Sequence, residues 1–202
     1  MAKLENLLDS SNGAAPDIEV TAPYIVDVTL EGTAAILFHA WNNEAVEEKA
    51  KSAKGSKAKK SDNVESYVYR NDKGEICIPG EYLRMSIINA AKYQQDPRSP
   101  RKSAMDLYKA ALVSLTELAS LGSKDWDYLD RPRCVVQRNA ITRIRPAFFP
   151  GWKASFTLRV LLPEYVSPQR LHQTIREAGE LIGVGDWRPT YGRFQIVNWH
   201  VR

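Results

Sequence analysis

Two segments alternate in polarity every second residue, and they limit the possible folds more than anything else in the chain. In "APYIVDVTLEG", Tyr24, Val26, Val28 and Leu30 fall on one side, and Ile25, Asp27, Thr29 and Glu31 on the other. In "KASFTLRVLLP", Phe156, Leu158, Val160 and Leu162 form a similar apolar row. A strand points successive side chains to opposite faces, so both segments read as half-buried strands, the first closed by Gly32. The apolar face of such a sheet has to be covered. "EYLRMSIINAAKYQQ" places Leu83, Ile87, Ile88 and Ala91 on one side at helical spacing. "QRLHQTIREAGELIG" does the same with Leu171, Ile175, Ala178 and Ile182. Ser167 followed by Pro168 marks the start of that second helix, a capping hydroxyl and then a proline at the first helical position.

The remaining segments fit around this frame. "VESYVYRNDKGEICIPGEY" reads as a β-hairpin turning at "NDKG" and broken by Pro79 and Gly80. "AAILFHAW" is a short strand or a loop. Ser103 with Asp106 resembles a capping box and predicts a further helix over "AMDLYKAALVSLTELAS", stopped by Gly122. "RCVVQRNAITRIRPAFFPG" is a long β-rich stretch, a bent strand or ribbon, and "RFQIVNWHV" is a final strand. With the extra helix set aside, the order is strand, helix, strand, strand, helix, strand. That is an α+β, ferredoxin-like (RRM-like) core carrying an extra helix and a basic arm or ribbon insertion. Residues 1–21 are expected to be a flexible lead-in and 22–202 a single domain, with a lysine-rich arm inserted at about 43–63. There is no internal repeat.

The 202 residues, 44% hydrophobic and 26% charged, suit one soluble domain. The longest apolar runs, "AAILF" and "VLL", are too short to cross a bilayer, and "MAKLENLLDSSNG" lacks the apolar core of a signal peptide. No membrane role is expected, and Cys77 and Cys134, without metal-ligand spacing, fit a reducing cytoplasm. The net charge of +4 is concentrated. From Arg131 to Pro163 there is no acidic residue, against seven basic ones: Arg131, Arg133, Arg138, Arg143, Arg145, Lys153 and Arg159. The rest of the chain is therefore slightly acidic, and one region is a source of positive potential.

Catalytic and metal-binding patterns are absent from the sequence. His39, His172 and His200 stand far apart without ligand-spaced partners, and there is no P-loop, nucleophile elbow or zinc-protease pattern. "GVGDW" follows a helix and precedes a strand, the reverse of a dinucleotide fingerprint. Asp125, Asp127 and Asp130 in "DWDYLD" read as a solvated loop rather than a metal site. The chain is expected to be no enzyme and to carry no cofactor and no metal.

Basic residues interleaved with aromatics point instead to an anionic polymer. Arginine forks bind phosphate in bidentate fashion, and aromatic rings offer sequence-tolerant stacking. "RPRCVVQRNAITRIRP" sets Arg138, Arg143 and Arg145 along a ribbon, and "GDWRPTYGRF" joins Arg188 and Arg193 to Trp187 and Tyr191. Gly183, Gly185 and Gly192 would let the backbone of that loop approach a ligand closely. The segment "NNEAVEEKAKSAKGSKAKKSDN", with Lys57, Lys59 and Lys60, has no apolar face and reads as a solvated arm that orders on an anionic partner.

At the glycine loop the sequence resembles the RAMP superfamily, the RNA-binding proteins that form the backbone of CRISPR effector complexes. "VDVTLEGTAAILFHAW" and "ICIPGEYLRMSIINAAK" are similar to that superfamily's first strand with its turn and to the start of its first core helix. In order, "YVYRNDKGEICIPGEYLRMSIINAAK", "TRIRPAFFPGWKASFTLRV" and "AGELIGVGDWRPTYGRF" look like a group of phage and prophage proteins of unassigned role. The resemblance covers the chain from about Ala22 onward. It implies that Gly183, Gly185, Arg188, Gly192 and Arg193 line a nucleic-acid face with Arg84 and Lys92 nearby. It also implies that the ribbon from Arg133 to Arg145 lies along a strand or touches a neighbouring subunit. The inserted "DWRPTY" departs from the superfamily's loop, and no residue matches the catalytic aspartate of its RNA-cleaving members.

The expected function is non-enzymatic binding of single-stranded RNA or DNA by a homo-oligomer assembled along the strand, in the cytoplasm of a bacterial cell, phage-infected or not. One alternative is a phage-encoded mimic of a CRISPR backbone subunit that docks on effector subunits and inhibits them. A second is a RAMP-type endoribonuclease, for which His39 is the one candidate base.

Overall fold

The computed structural model describes residues 21–40, 64–131, 133–136 and 139–202, with the backbone alone between 133 and 142. The lysine arm, with Lys57, Lys59 and Lys60, and nearly all of the N-terminal lead-in lie outside the described residues. The chain runs from β1 (Tyr24–Gly32) and β2 (Ile36–Leu37) to the hairpin of β3 (Tyr69–Arg70) and β4 (Ile76–Pro79), then helix α1 (Gly80–Ala90). Next come β5 (Gln95–Asp96), β6 (Ser99–Ser103), helix α2 (Met105–Ala111), β7 (Leu112–Ser114) and β8 (Leu118–Ser120). After β9 (Tyr128–Asp130), β10 (Arg133–Val136), β11 (Asn139–Thr142) and β12 (Arg145–Phe148), the chain ends with β13 (Lys153–Val160), α3 (Pro168–Glu177) and β14 (Phe194–Val201).

The central sheet has the order β14-β1-β13-β7, and every neighbouring pair is antiparallel. Numbered by their place in the core, these strands run fourth, first, third, second, which is the ferredoxin-like arrangement of an α+β protein. The alternation of β1 and β13 is kept in space: Val26, Val28 and Leu30 are buried opposite Leu158, Phe156 and Ala154. Leu83, Ile87 and Ile88 of α1 and Leu171 and Ile175 of α3 close the core on that side. Burial of a side chain of this size stabilises by about 1.5–3 kcal/mol, so this one layer of helix on sheet carries most of the fold. Ser167 caps α3 by accepting the Arg170 N–H at 3.3 Å, as the Ser-Pro pair predicts.

Two expectations are corrected. The helix predicted to reach Gly122 stops at Ala111, and its remainder opens into β7 and β8. Ser103 makes no cap: the N-cap position is Ala104 without a side-chain bond, and Asp106 pairs with Lys109 at 3.1 Å. The physical reason is tertiary. β13 needs an outer neighbour, and Leu112 to Ser114 supply it, opposite Val160 to Leu158. It follows that the "RCVVQRNAITRIRP" stretch is not the second core strand. It forms a separate two-stranded hairpin, β10 with β11, and then β12, which pairs with β2 and β9 in a small sheet. The "NDKG" turn joins β3 to β4, although the hairpin is shorter than predicted because Val64–Tyr67 is a 3-10 turn.

The face of the central sheet away from the helices is polar and largely self-paired. Thr157 Oγ1 donates to Asp27 at 2.7 Å, Arg202 Nε meets the other Asp27 oxygen at 2.8 Å, and Thr29 and Ser155 share a bond of 2.9 Å. Gln195 and Lys153 both reach Glu31, at 3.0 and 3.4 Å.

Candidate nucleic-acid interface

The loop between α3 and β14 is held by its own chain. After a π-turn over Ala178–Ile182 the backbone turns at Gly183 and doubles back. Val184 N–H donates to Gly192 O at 2.9 Å, Gly192 N–H to Ala35 O at 2.7 Å, and Asp186 N–H to Leu37 O at 2.9 Å. The loop is thereby strapped along β2. Gly192 sits at φ +73°, and a Cβ there would lie 1.7 Å from the Val184 carbonyl oxygen. Glycine is required at this position by the approach of two stretches of one backbone. Ser86 of α1 donates to Gly183 O at 2.8 Å and ties the loop to the first helix.

Asp186 is the anchor between loop and small sheet. Its Oδ2 accepts from Arg145 Nε at 2.8 Å, and its Oδ1 accepts the Trp187 N–H at 3.0 Å. The Arg145 side chain is only 4% exposed and lies over the Tyr67 ring, 5.0 Å from its centre. His39 Nδ1 is 3.8 Å from the same Asp186 oxygen.

Loop and helix together enclose a groove. Two adjoining hollows of about 370 and 480 Å³ share Asn89, Gly185, Asp186 and Arg188. The inner one is closed by His39, Tyr82 and Met85, the outer one by Lys92, Tyr93, Leu181, Ile182, Trp187 and Pro189. Tyr82, Met85 and Asn89 follow at helical spacing on α1, opposite its apolar stripe. Tyr93 is 69% exposed and Trp187 39%. Burial and the contact with Tyr69, 3.3 Å away, push the Tyr82 hydroxyl above the ordinary tyrosine range, so it stays a neutral donor. Among the described residues, no ion-pair or hydrogen-bond partner engages the side chains of Lys92 and Arg188. The groove therefore offers two uncommitted cations, exposed aromatic faces and neutral polar groups, a set suited to phosphates and bases.

The structure sorts the sequence-derived residues. Lys92, Gly185, Trp187 and Arg188 meet in the groove. Gly183 and Gly192 are buried behind it as parts of the strap. Tyr191 turns away, half-buried, its hydroxyl donating to Asp130 at 3.3 Å; burial and the Asp130 charge raise its pKa. Arg193 is exposed beyond the groove, with its carbonyl held by the N–H groups of Thr33 and Ala34. Arg84 faces α2 instead of the loop, bonding Leu112 O at 2.7 Å, Lys109 O at 2.9 Å and Glu81 at 2.6 Å. Arg145 is internal, not a surface contact: Asp186 neutralises it inside the small sheet. Arg133 lies on β10 and Arg143 beside β12, half-buried, while Arg138 falls outside the described residues. Asp127 accepts the Phe149 N–H at 2.8 Å, and no metal-ligating group of side chains occurs among the described residues. No helix of the described residues is long and apolar enough to cross a membrane.

Sequence reasoning missed Tyr82, Met85, Asn89 and Tyr93, although the spacing of the first three was readable as a second stripe on α1.

No family model and no curated protein matches the chain. Among solved structures, a chain of the cryo-EM structure of the type III-B Cmr-beta bound to cognate target RNA is similar, with a TM-score of 0.54 at 12% identity. The match takes in 89% of this chain and 61% of that one, so this chain spans about three fifths of its length. At that identity the likeness is one of fold, in keeping with the α+β, ferredoxin-like sheet described above.

Proposed function

We propose that the protein binds single-stranded nucleic acid, RNA foremost, in the groove between α1 and the glycine loop, as a RAMP-type protein that holds a strand without cutting it. The observation that carries this is the uncommitted pair Lys92 and Arg188 set among the exposed rings of Tyr93 and Trp187. Phosphates would meet the cations, and splayed bases would stack on the rings. The structural likeness to a chain from an RNA-bound complex supports the same reading. Assembly of several copies along one strand and a phage setting belong to the proposal.

The test is anisotropy titration of a labelled single-stranded RNA, with duplex RNA and single-stranded DNA as competitors. The Tyr93→Ala, Trp187→Ala double variant should lose about 1–3 kcal/mol per stacked base. Parent-like affinity in a folded double variant would remove the groove from the interface.

His39, close to Asp186 inside the groove, favours one second reading, cleavage with His39 as general base. RNA cut by the parent and spared by His39→Ala would replace the non-enzymatic reading.

A further inference from the structure

The outer edge of β14 is the strongest feature that the groove does not use. Its eight residues, "FQIVNWHV", pair only with β1 among the described residues. The opposite edge of the same sheet, β7, has three. Edge strands are commonly blunted by shortness, lysine or proline, since their free N–H and C=O groups are a template for another strand. β14 contains no Lys, Arg, Asp, Glu, Pro or Gly.

It does contain a bulge. Ile196 pairs with Leu30 and Asn198 with Thr29, so Val197 is an extra residue that resets the alternation. Phe194, Ile196, Trp199 and Val201 pack toward the helices. Gln195 bonds Glu31 on the open face, and Asn198 and His200 line a hollow there with Asp27 and Thr29. Read from either end, the order of faces is the same, with its centre between Val197 and Asn198. Two copies set antiparallel about that centre put Ile196 opposite Trp199 and Gln195 opposite His200, while Phe194, buried with its carbonyl against Gly179, stays outside the new ladder. Apolar meets apolar on the helix side and polar meets polar on the other, without like charges facing each other. A slip of one residue destroys that match.

A second observation lies beside the same edge. Arg176 Nε and Trp199 Nε1 are buried without a hydrogen-bond acceptor. His172 stands edge-on to Trp199 at 5.0 Å, and a hollow of about 120 Å³ between α3 and the strand is lined by His172, Arg176, Glu180 and Phe194. Buried donors are rarely left unmade, and of the two residues Arg176 borders that hollow.

We propose that the free edge of β14 pairs with β14 of a second copy, antiparallel about a two-fold axis, and joins the two central sheets into one. The contact is isologous, so it closes at a dimer. It does not rest on strand binding and can fail or hold independently of it.

Sedimentation velocity of the full chain at micromolar concentration is expected to give a dimer. Val197→Lys, which places a charge at the 40% exposed centre of the edge, is expected to give a monomer that keeps the parent's circular-dichroism spectrum. Register is read by cysteines: Gln195→Cys mixed with His200→Cys should yield a disulfide-linked dimer on mild oxidation, whereas either alone should not, because only that mixed pair is brought opposite. A monomeric parent overturns the proposal and leaves the edge to another partner. So does a dimer that survives Val197→Lys, or a disulfide that forms equally in the single variants.

Discussion

The open face of the central sheet and the groove beside the glycine loop are both polar surfaces of the same chain, yet they are built oppositely. On the sheet face most of the charges are spent within the chain: Asp27 with Thr157 and Arg202, Glu31 with Gln195 and Lys153. The strand residues there include no Phe, Tyr or Trp. In the groove the cations are uncommitted and the rings are exposed. A face left bare by the helices is therefore not by itself a binding face. What matters is whether its polar groups have already found partners within the chain.

The largest expected effect tests how the groove is framed. Gly192→Ala sets a Cβ against the Val184 carbonyl at a positive φ, and neither backbone can yield without releasing the strap. A loss of more than about 3 kcal/mol is expected in a urea titration, at the high end for a single substitution. A mild loss would mean that the loop is not held as described. Arg145→Ala comes next. It leaves Asp186 without its partner and empties a buried position, at a cost of about 3 kcal/mol by the same measurement.

The Lys92→Ala, Arg188→Ala double variant should differ in kind. Stability should change by no more than about 0.5 kcal/mol. Binding should weaken about tenfold or more, and the slope of log affinity against log salt should flatten by about 1.4, at about 0.7 per phosphate contact. Lys153→Ala with Arg202→Ala, the two paired cations of the sheet face, is the control: its slope should match the parent's. A flattened slope there would erase the contrast between the two surfaces.

The smallest effect is Asp27→Asn. The hydrogen bonds from Arg202 and Thr157 hold the Asp27 carboxyl below its usual pKa. A depressed carboxylate stabilises the fold above the unfolded-state pKa, near 3.9, and this is lost as pH falls through the folded value. The variant should be less stable than the parent at neutral pH, by under about 1 kcal/mol for so exposed a pair. The two melting curves should converge as the pH falls below the depressed folded-state value. Curves that stay apart in acid would point to a role for Asp27 other than its charge.

Much of the frame was legible because it rests on period. β1, β13, α1 and α3 each bury one face, and burial of one face writes its period into the sequence. β7 was not legible: no breaker separates Leu112 from Ala111, and this second core strand exists because β13 needs a neighbour, a demand made by residues far along the chain, Leu158 to Val160. The site was legible in part for a related reason. Arg145 and Arg188 stand in equally polar contexts, and only the position of Asp186 makes one a buried brace and the other an open cation. The second stripe of α1 looked like any solvent-facing side until the loop was laid beside it.

The strap has a further consequence, for descent. Gly192 and Gly183 answer to the chain's contact with itself, so a relative that had lost its ligand would be under the same pressure to keep them. The glycines are an heirloom of the fold. Trp187 and Arg188, lying between them, are free of that pressure, and in such a relative they would be the first to drift.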